Sequence, residues 1–296
     1  MLSENLYLPA AYSLSAVGVW GASDFLGGLG ARRANAFLFT SLVHLSGMVL
    51  AGALAFAIGL PFPALDSVRW ALAAGALGGL ALALFYRALA TGKMGLVAPV
   101  AAVLGAAIPT LVTALREGFP SWRHIAGFVL AGIGVWLISR AEDSQTEAGP
   151  SDKRTGEDAT ARPEGLGLAV LAGCGFAGFY LCIHQAGNGS ALWIAVCSRS
   201  ASLAVTVAIV VFGGLIRALP RPVIGIAIAA GILDIAGSTV FVVASQIGRL
   251  DSAVVLSSLY PAVTVLLARI FLHEHFSRWR TLGMVAALAA VPMIAG

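Results

Sequence analysis

The sequence predicts an all-α integral membrane protein with ten transmembrane helices arranged as two inverted five-helix repeats. Three observations predict this class: the composition, an internal repeat and one polar segment between the repeats. Of the 296 residues, 59% are hydrophobic and only 11% are charged, and the mean hydropathy is +0.91. A soluble domain contains roughly 25% charged residues. Because so few polar residues cannot cover a surface in water, most of the chain must face lipid.

The internal repeat relates residues 85–122 to residues 241–279. A shift of 156 residues aligns the two copies. Each copy contains an apolar run, a turn with Gly and a basic residue, and a second apolar run. A charged turn follows, in which Glu117 or Glu274 lies five residues before a Trp. Self-similarity of this length indicates that the chain consists of two related halves.

One polar segment, residues 141–164, separates the halves. It contains seven of the 14 acidic residues and has no apolar periodicity, so we expect a flexible linker. The domains are therefore predicted as 1–140, 141–164 and 165–296. Since five spans are an odd number, the second half must enter the membrane from the opposite side, and binding sites of inverted repeats lie near the bilayer midplane.

A spanning helix needs about 20 mostly apolar residues, and ten runs meet this requirement. In the first run, the apolar residues continue through Gly30 after a start without basic residues, so we do not expect a cleavable signal. Small residues such as those at Gly27 and Gly78 are typical of close helix packing in membranes. The predicted spans are 8–30, 35–60, 68–90, 95–115, 121–139, 165–187, 190–216, 222–246, 250–272 and 278–296.

The charges exclude some functions but leave the orientation open. No stripe of Lys and Arg with interleaved aromatic residues indicates nucleic-acid binding, and the three cysteines lie in apolar runs without metal or disulfide spacing.

Eight Lys and Arg residues lie in the odd-numbered loops and four in the even-numbered loops, outside the linker. The positive-inside rule then places both termini outside the cell.

The chain resembles the EamA-type ten-helix transporters of the drug/metabolite transporter superfamily over nearly its whole length. The resemblance comes from the ordered set of Trp20-Gly21 and Ser23-Asp24-Phe25 in the first span, the segment 259–264 in the ninth, and the two Glu-containing turns. It implies a transporter with both termini in the cytoplasm, against the charge count. The sequence departs from the pattern where Pro261 corresponds to Gly105.

Asp234, in the middle of the eighth span, is the deepest acid. A charge near the bilayer centre costs from about 2.5 to more than 10 kcal/mol, so it faces a partner or a watery cavity. We interpret Asp234 as a carboxylate that binds a proton or a substrate amine. The alternative is a packing role, with a hydrogen bond to Ser238 or an ion pair with a neighbouring Arg.

Further candidates for the substrate or proton pathway lie on other spans. Asp24 lies about 6 Å beyond the midpoint of the first span, where helix packing is the alternative. Arg87, beside Tyr86, could meet a substrate carboxylate, although it could also snorkel to the interface. Tyr260 and His184 complete the predicted pathway.

Other polar residues are predicted to have structural roles. His44 and Arg199 occupy matching positions in the two halves, offset by 155 residues. Glu117 and Glu274 lie in matching turns, offset by 157 residues because of one inserted residue, and we expect them to hold the turns. The two His residues beside Glu274 lie two positions apart on different helix faces, so we expect no metal site. Proline residues kink helices. The predicted hinges, which could equally be fixed bends, are Pro261, Pro99 and Pro109.

These observations favour a secondary transporter, an exporter of a small organic solute such as an amino acid or related metabolite. We expect a monomeric, multi-pass protein of the cell (inner) membrane, whose partners are the lipid bilayer, the small-molecule substrate and, as a candidate coupling ion, the proton. No nucleotide motif, cofactor or metal is expected. The alternatives are a membrane enzyme acting on a lipid or isoprenoid, for which the acids are too scattered, and a non-transporting scaffold.

Overall fold

The computed structural model describes residues 7–91, 94–140, 164–272 and 278–295, and all regular secondary structure in these ranges is helical. The helices of the first half are α1 (Leu8–Ala31), α2 (Ala36–Ala57), α3 (Leu65–Thr91), α4 (Met94–Glu117) and α5 (Trp122–Arg140). Those of the second half are α6 (Glu164–Gln185), α7 (Ala191–Phe212), α8 (Arg221–Ile247), α9 (Leu250–Ser257), α10 (Tyr260–Leu272) and α11 (Arg278–Ala295).

Six helices in the described part of the chain are long and apolar enough to cross a bilayer. These segments are Ala36–Ala57, Leu65–Ala88, Val100–Glu117, Gly165–Gln185, Ala191–Phe212 and Arg221–Ile247. The all-helical class of the prediction is confirmed, and a multi-pass membrane protein is plausible on these six segments. Ten crossings remain a prediction. The linker also remains one, because residues 141–163 lie outside the described ranges.

The ninth predicted span, 250–272, is two helices rather than one. The helix α9 ends at Ser257, and α10 starts at Tyr260, with Pro261 as its second residue. Proline has no backbone N–H and its ring clashes with the preceding turn, but it fits the first turn of a new helix. The expected kink is therefore a break. By contrast, α4 continues as one helix through Pro99 and Pro109.

Helices of one half pack mainly against helices of the other half. The first half contributes α1 against α8, α2 against α7 and α8, α3 against α6 and α7, α4 against α6, and α5 against α11. These contacts form matched sets: α1 on α8 corresponds to α6 on α3 when the halves are exchanged. Likewise, α4 on α6 corresponds to the contact of α9 and α10 with α1.

Corresponding helices run antiparallel where they meet. Near the start of α5, Gly127 faces Ile294 at the end of α11, whereas Gly134 further along α5 faces Ala287. The helices α2 and α7 share their buried clusters in the same opposed order, Phe37 with Val210 and Ala51 with Ala195.

Two corresponding glycines allow close approaches between the halves. A Cβ atom on Gly75 of α3 would overlap the backbone carbonyl of Ser198 in α7, and one on Gly231 of α8 would overlap the carbonyl of Val43 in α2. Gly75 and Gly231 coincide under the 156-residue shift. The repeat in the sequence is thus a repeat in packing geometry.

Candidate functional site

A cavity of about 70 Å³ lies where helices of both halves meet. It is bounded by α1 and α3 from the first half and by α6, α7, α8 and α10 from the second. Its wall contains two carboxylates, one guanidinium and several aromatic rings. The lining residues are Trp20, Asp24, Gly78, Leu82, Phe85, Phe176, Phe179, Tyr180, Arg199, Asp234 and Tyr260.

Asp234 of α8 forms an ion pair with Arg199 of α7. The Arg199 Nη2 donates to Asp234 Oδ1 at 3.1 Å, and the Arg199 Nε lies 2.9 Å from Asp234 Oδ2. The same Nη2 also donates to the Ser238 hydroxyl. Both charged residues are buried, with 5% of Arg199 and 7% of Asp234 exposed. A buried charge is very costly without a partner, and here each charge offsets the other.

Asp24 of α1 has a different environment. It is half-buried, and its Oδ1 accepts a hydrogen bond from the Tyr86 hydroxyl of α3 at 3.3 Å. Gly27 makes room for that hydroxyl, because a Cβ atom there would overlap it. Among the described residues, no salt bridge reaches Asp24. Asp24 shares the cavity wall with Asp234 and Tyr180, and it is the acid of this wall that has no basic partner in the described structure.

Four aromatic residues beside the cavity, on α1, α6 and α8, form a continuous cluster. Phe241 of α8 is central to it, with its ring centroid 5.4 Å from that of Trp20 and 4.9 Å from that of Tyr180. Phe179 lies 5.4 Å from Tyr180 between ring centroids. These separations fall in the range in which aromatic pairs attract each other, so the rings hold the cavity wall in shape.

Sequence reasoning missed Phe176, Phe179 and Tyr180 as cavity residues. A signal existed, because Trp20 and Asp24 lie four residues apart on α1, and Phe176 and Tyr180 lie four apart on α6, at the same shift of 156 residues. Residues four apart share one helix face. The two faces line the cavity from corresponding helices of the two halves.

The other pathway candidates are distributed between the cavity and its surroundings. Tyr260 lines the cavity, at the start of α10. Tyr86 is buried and holds Asp24, whereas the neighbouring Arg87 is exposed and does not belong to the described lining.

His184 lies away from the cavity, at the end of α6, in a polar cluster. Its Nδ1 lies 3.1 Å from the Ser245 carbonyl oxygen, and its Nε2 lies 3.9 Å from Glu117 Oε1 at the end of α4. Glu117 Oε2 is also 3.7 Å from Arg249 Nη1. Hydrogen bonding to Asp251, foremost, raises the pKa of the Arg249 guanidinium. Glu117 thus joins the two halves, while Glu274 and its His neighbours lie outside the described residues.

His44 occupies the position that corresponds to Arg199. It is fully buried on α2, and within the described structure neither ring nitrogen has a hydrogen-bond partner. Arg199 is near enough to interact with it electrostatically. In the same ranges of the chain, no group of three or more His, Cys, Asp or Glu side chains could hold a metal ion.

Comparison with known proteins identifies the second half. Residues 163–296 match the model of the EamA-like transporter family. No curated protein sequence matches the chain. A solved structure titled "Crystal structure of protein" is similar, with a TM-score of 0.74 and 17% sequence identity over 96% of this chain and 95% of that one, a likeness that shows the fold alone. Residues 163–296 of this chain are therefore similar to the EamA-like transporter family, part of the drug/metabolite transporter superfamily.

Proposed function

We propose that the protein is a secondary transporter that exports a small organic solute, such as an amino acid or related metabolite, across the cell (inner) membrane. The family match suggests a membrane transporter of small solutes. The finer statements of solute class, direction and membrane are our proposal, with a monomer as the transporting unit.

The observation on which this proposal depends is the position of the cavity. Its ionisable residues come from both halves, with Asp24 on α1 and the Arg199–Asp234 pair on α7 and α8. Ionisable residues inside a membrane protein are costly and typically mark substrate or proton pathways. A cavity shared between two moving halves can open first to one side and then to the other, which is alternating access.

The opposed packing of the halves supports an inverted repeat. The ends of α4 and α6 meet through Glu117 and His184, so these ends share one face of the bilayer. If all ten predicted spans cross, this arrangement requires the second half to enter from the opposite side. The antiparallel packing of α5 and α11, at Gly127 and Ile294, agrees with it. Transporters with inverted repeats typically rock one repeat against the other around a central site.

The break between α9 and α10 supports a hinge at Pro261. Discontinuous helices in transporters supply backbone groups to the site and absorb motion, and Tyr260 at this break lines the cavity. Tyr260, one of the cavity-lining residues, therefore lies directly at the proposed hinge. Pro99 and Pro109 remain candidate hinges within the continuous α4.

A growth screen followed by reconstitution tests the proposal. Cells that overexpress the protein should tolerate toxic amino acid analogues or amines better than control cells, and purified protein in vesicles should exchange the identified solute unchanged. Asp24→Asn should lose this exchange, whereas Asp66→Asn, which neutralises an exposed carboxylate at the start of α3, should keep it. Chemical conversion of the solute, or full exchange by Asp24→Asn, would contradict the proposal.

A further inference from the structure

We propose that the cavity binds a compact organic ammonium cation without a carboxylate group, held by Asp24 inside a cage of aromatic rings. This inference rests on the proposed function, because it names the solute class of the same cavity. Among the small organic solutes of that proposal, it favours carboxylate-free amines over amino acids.

The charge balance of the cavity wall is the first argument. Three lining residues other than tyrosines are ionisable, namely Asp24, Arg199 and Asp234. The guanidinium and the Asp234 carboxylate face each other through two contacts and offset each other. One acid, Asp24, then remains without a basic partner among the described lining residues, and its ionised form carries a single negative charge. A monovalent cation complements this charge, whereas a neutral solute would leave it uncompensated and an anion would be repelled.

The engagement of Arg199 argues against an amino acid. The carboxylate of a zwitterion would need a cationic partner in the cavity, and Arg199 is the one Arg, Lys or His in the described lining. Its Nη2 already donates to both Asp234 and Ser238. Binding a solute carboxylate would break these contacts and leave the Asp234 charge buried without a partner, which is very costly.

The aromatic rings near Asp24 are the second argument. Trp20 lies one helical turn away on the same face of α1, and the ring centroid of Tyr180 lies 6.4 Å from that of Trp20. Tyr260 lines the same cavity. All three residues line the cavity, together with Phe85, Phe176 and Phe179. The faces of aromatic rings attract cations, and the attraction is strongest where water is excluded. A carboxylate within such rings is chemically suited to an ammonium group.

The small volume limits the bound group. A cavity of about 70 Å³ holds a few water molecules, well below the roughly 300–1,000 Å³ of pockets for drug-sized ligands. The part of the solute that enters this cavity must therefore be compact. A trimethylammonium or similar head group satisfies the size, charge and apolar character of the wall together.

Three probes that share one shape test this inference by equilibrium binding to the full-length protein in lipid nanodiscs. Choline is the cation, glycine betaine adds a carboxylate to the same head group, and 3,3-dimethyl-1-butanol replaces the nitrogen by carbon. We expect choline to bind about tenfold or more tightly than either of the others, which corresponds to about 1.4 kcal/mol. Equal binding of choline and betaine, or no choline binding at 10 mM (an order-of-magnitude limit for weak ligands), would overturn the inference.

Matched variants locate the binding site. Asp24→Asn keeps the size of the side chain and its ability to accept from Tyr86, and should weaken choline binding about tenfold or more, whereas Asp66→Asn should not change it. Tyr180→Leu should weaken binding roughly fivefold to thirtyfold, and Tyr180→Phe should keep most of it because the ring remains. Unchanged choline affinity in Asp24→Asn would refute the assignment.

A transport measurement separates this inference from the proposed function. In vesicles, exchange of choline that stops in Asp24→Asn would support both. Exchange of amino acids by a protein that does not bind choline would refute the ammonium inference while the transporter proposal stands. Specific choline binding at Asp24, without movement of any solute, would support the inference and contradict the transporter proposal.

Discussion

The two halves place different side chains at corresponding positions beside the cavity. In the second half, Arg199 and Asp234 form a buried ion pair. In the first half, the corresponding residues are His44, whose ring nitrogens have no hydrogen-bond partner in the described structure, and Gly78, which has no side chain. The ionic pairing therefore belongs to one half only.

The glycines at which the halves pack, in contrast to the charged residues, have the same role in both halves. Gly75 and Gly231 correspond to each other, and each allows its helix to approach a backbone carbonyl of the other half. The repeat thus keeps the contacts that hold the halves together, while the charges of the cavity differ between them. If the cavity is the proposed solute site, asymmetric charges in a symmetric scaffold would give one binding site rather than two equivalent ones.

The largest effect should come from breaking the ion pair. Arg199→Leu leaves the Asp234 charge buried without its partner, and we expect a loss of about 3–5 kcal/mol in the free energy of unfolding. The matched variant His44→Leu removes a polar ring that has no hydrogen bond to lose, so we expect little change or a small gain. Unfolding of the purified proteins by SDS in mixed micelles measures both. Equal losses in the two variants would contradict the asymmetry.

A smaller and symmetric effect should follow from substituting the two corresponding glycines. The Cβ atom added by Gly75→Ala or Gly231→Ala meets backbone, which cannot move aside as a flexible side chain could. Overpacking of this kind costs about 1–3 kcal/mol, and we expect similar losses in both variants. Gly28→Ala is the control, since a Cβ atom there meets nothing within 4 Å. A loss in only one of the two corresponding variants would show that the scaffold is not symmetric.

The sequence was sufficient for the helices because each needs only a long apolar run. Most predicted boundaries lie within a few residues of the observed ones, including α1 at Leu8–Ala31 against the predicted 8–30. The ninth span was less accurate, because Pro261 reveals a disturbance of the helix but not whether the chain bends or starts a new helix. That outcome depends on the packing of α10 against α1, where Gly21 faces Val263.

The partners of the polar residues were much harder to predict. Asp234 and Arg199 lie on two helices, as do Asp24 and Tyr86, and the rotation of each helix about its axis decides whether such side chains meet. The sequence allowed an ion pair of Asp234 with a neighbouring Arg but could not identify Arg199. The predicted span 165–187 placed His184 near a helix end, but the sequence could not show that its ring faces Glu117 instead of the cavity.

Giving the second half the residues of the first should produce a still smaller change. The double variant Arg199→His, Asp234→Gly removes both charges together, so no buried charge remains without a partner. We expect a loss of about 1 kcal/mol, mostly from glycine in a helix, measured by the same SDS unfolding. A loss as large as that of Arg199→Leu alone would show that the pair contributes more than mutual compensation.

The smallest effect should come from the contact that joins the halves at the ends of α4 and α6. Glu117 is 40% exposed in its side chain and 3.7 Å from Arg249, and exposed ion pairs contribute up to about 1 kcal/mol. Glu117→Gln should therefore lower the free energy of unfolding by less than about 1 kcal/mol, and high salt should remove the difference because it screens exposed charges.

Asp251→Asn is the matched control, because Asp251 pairs with the same Arg249 at 2.9 Å but its side chain is fully buried. Its Oδ1 also accepts from the Ser252 backbone N–H at 2.7 Å. We expect a larger loss than for Glu117→Gln, and one that persists in high salt because buried pairs are screened much less. Equal losses with the same salt dependence in the two variants would show that burial does not decide the strength of ion pairs in this protein. The large loss expected on breaking the buried Arg199–Asp234 pair would then have no basis.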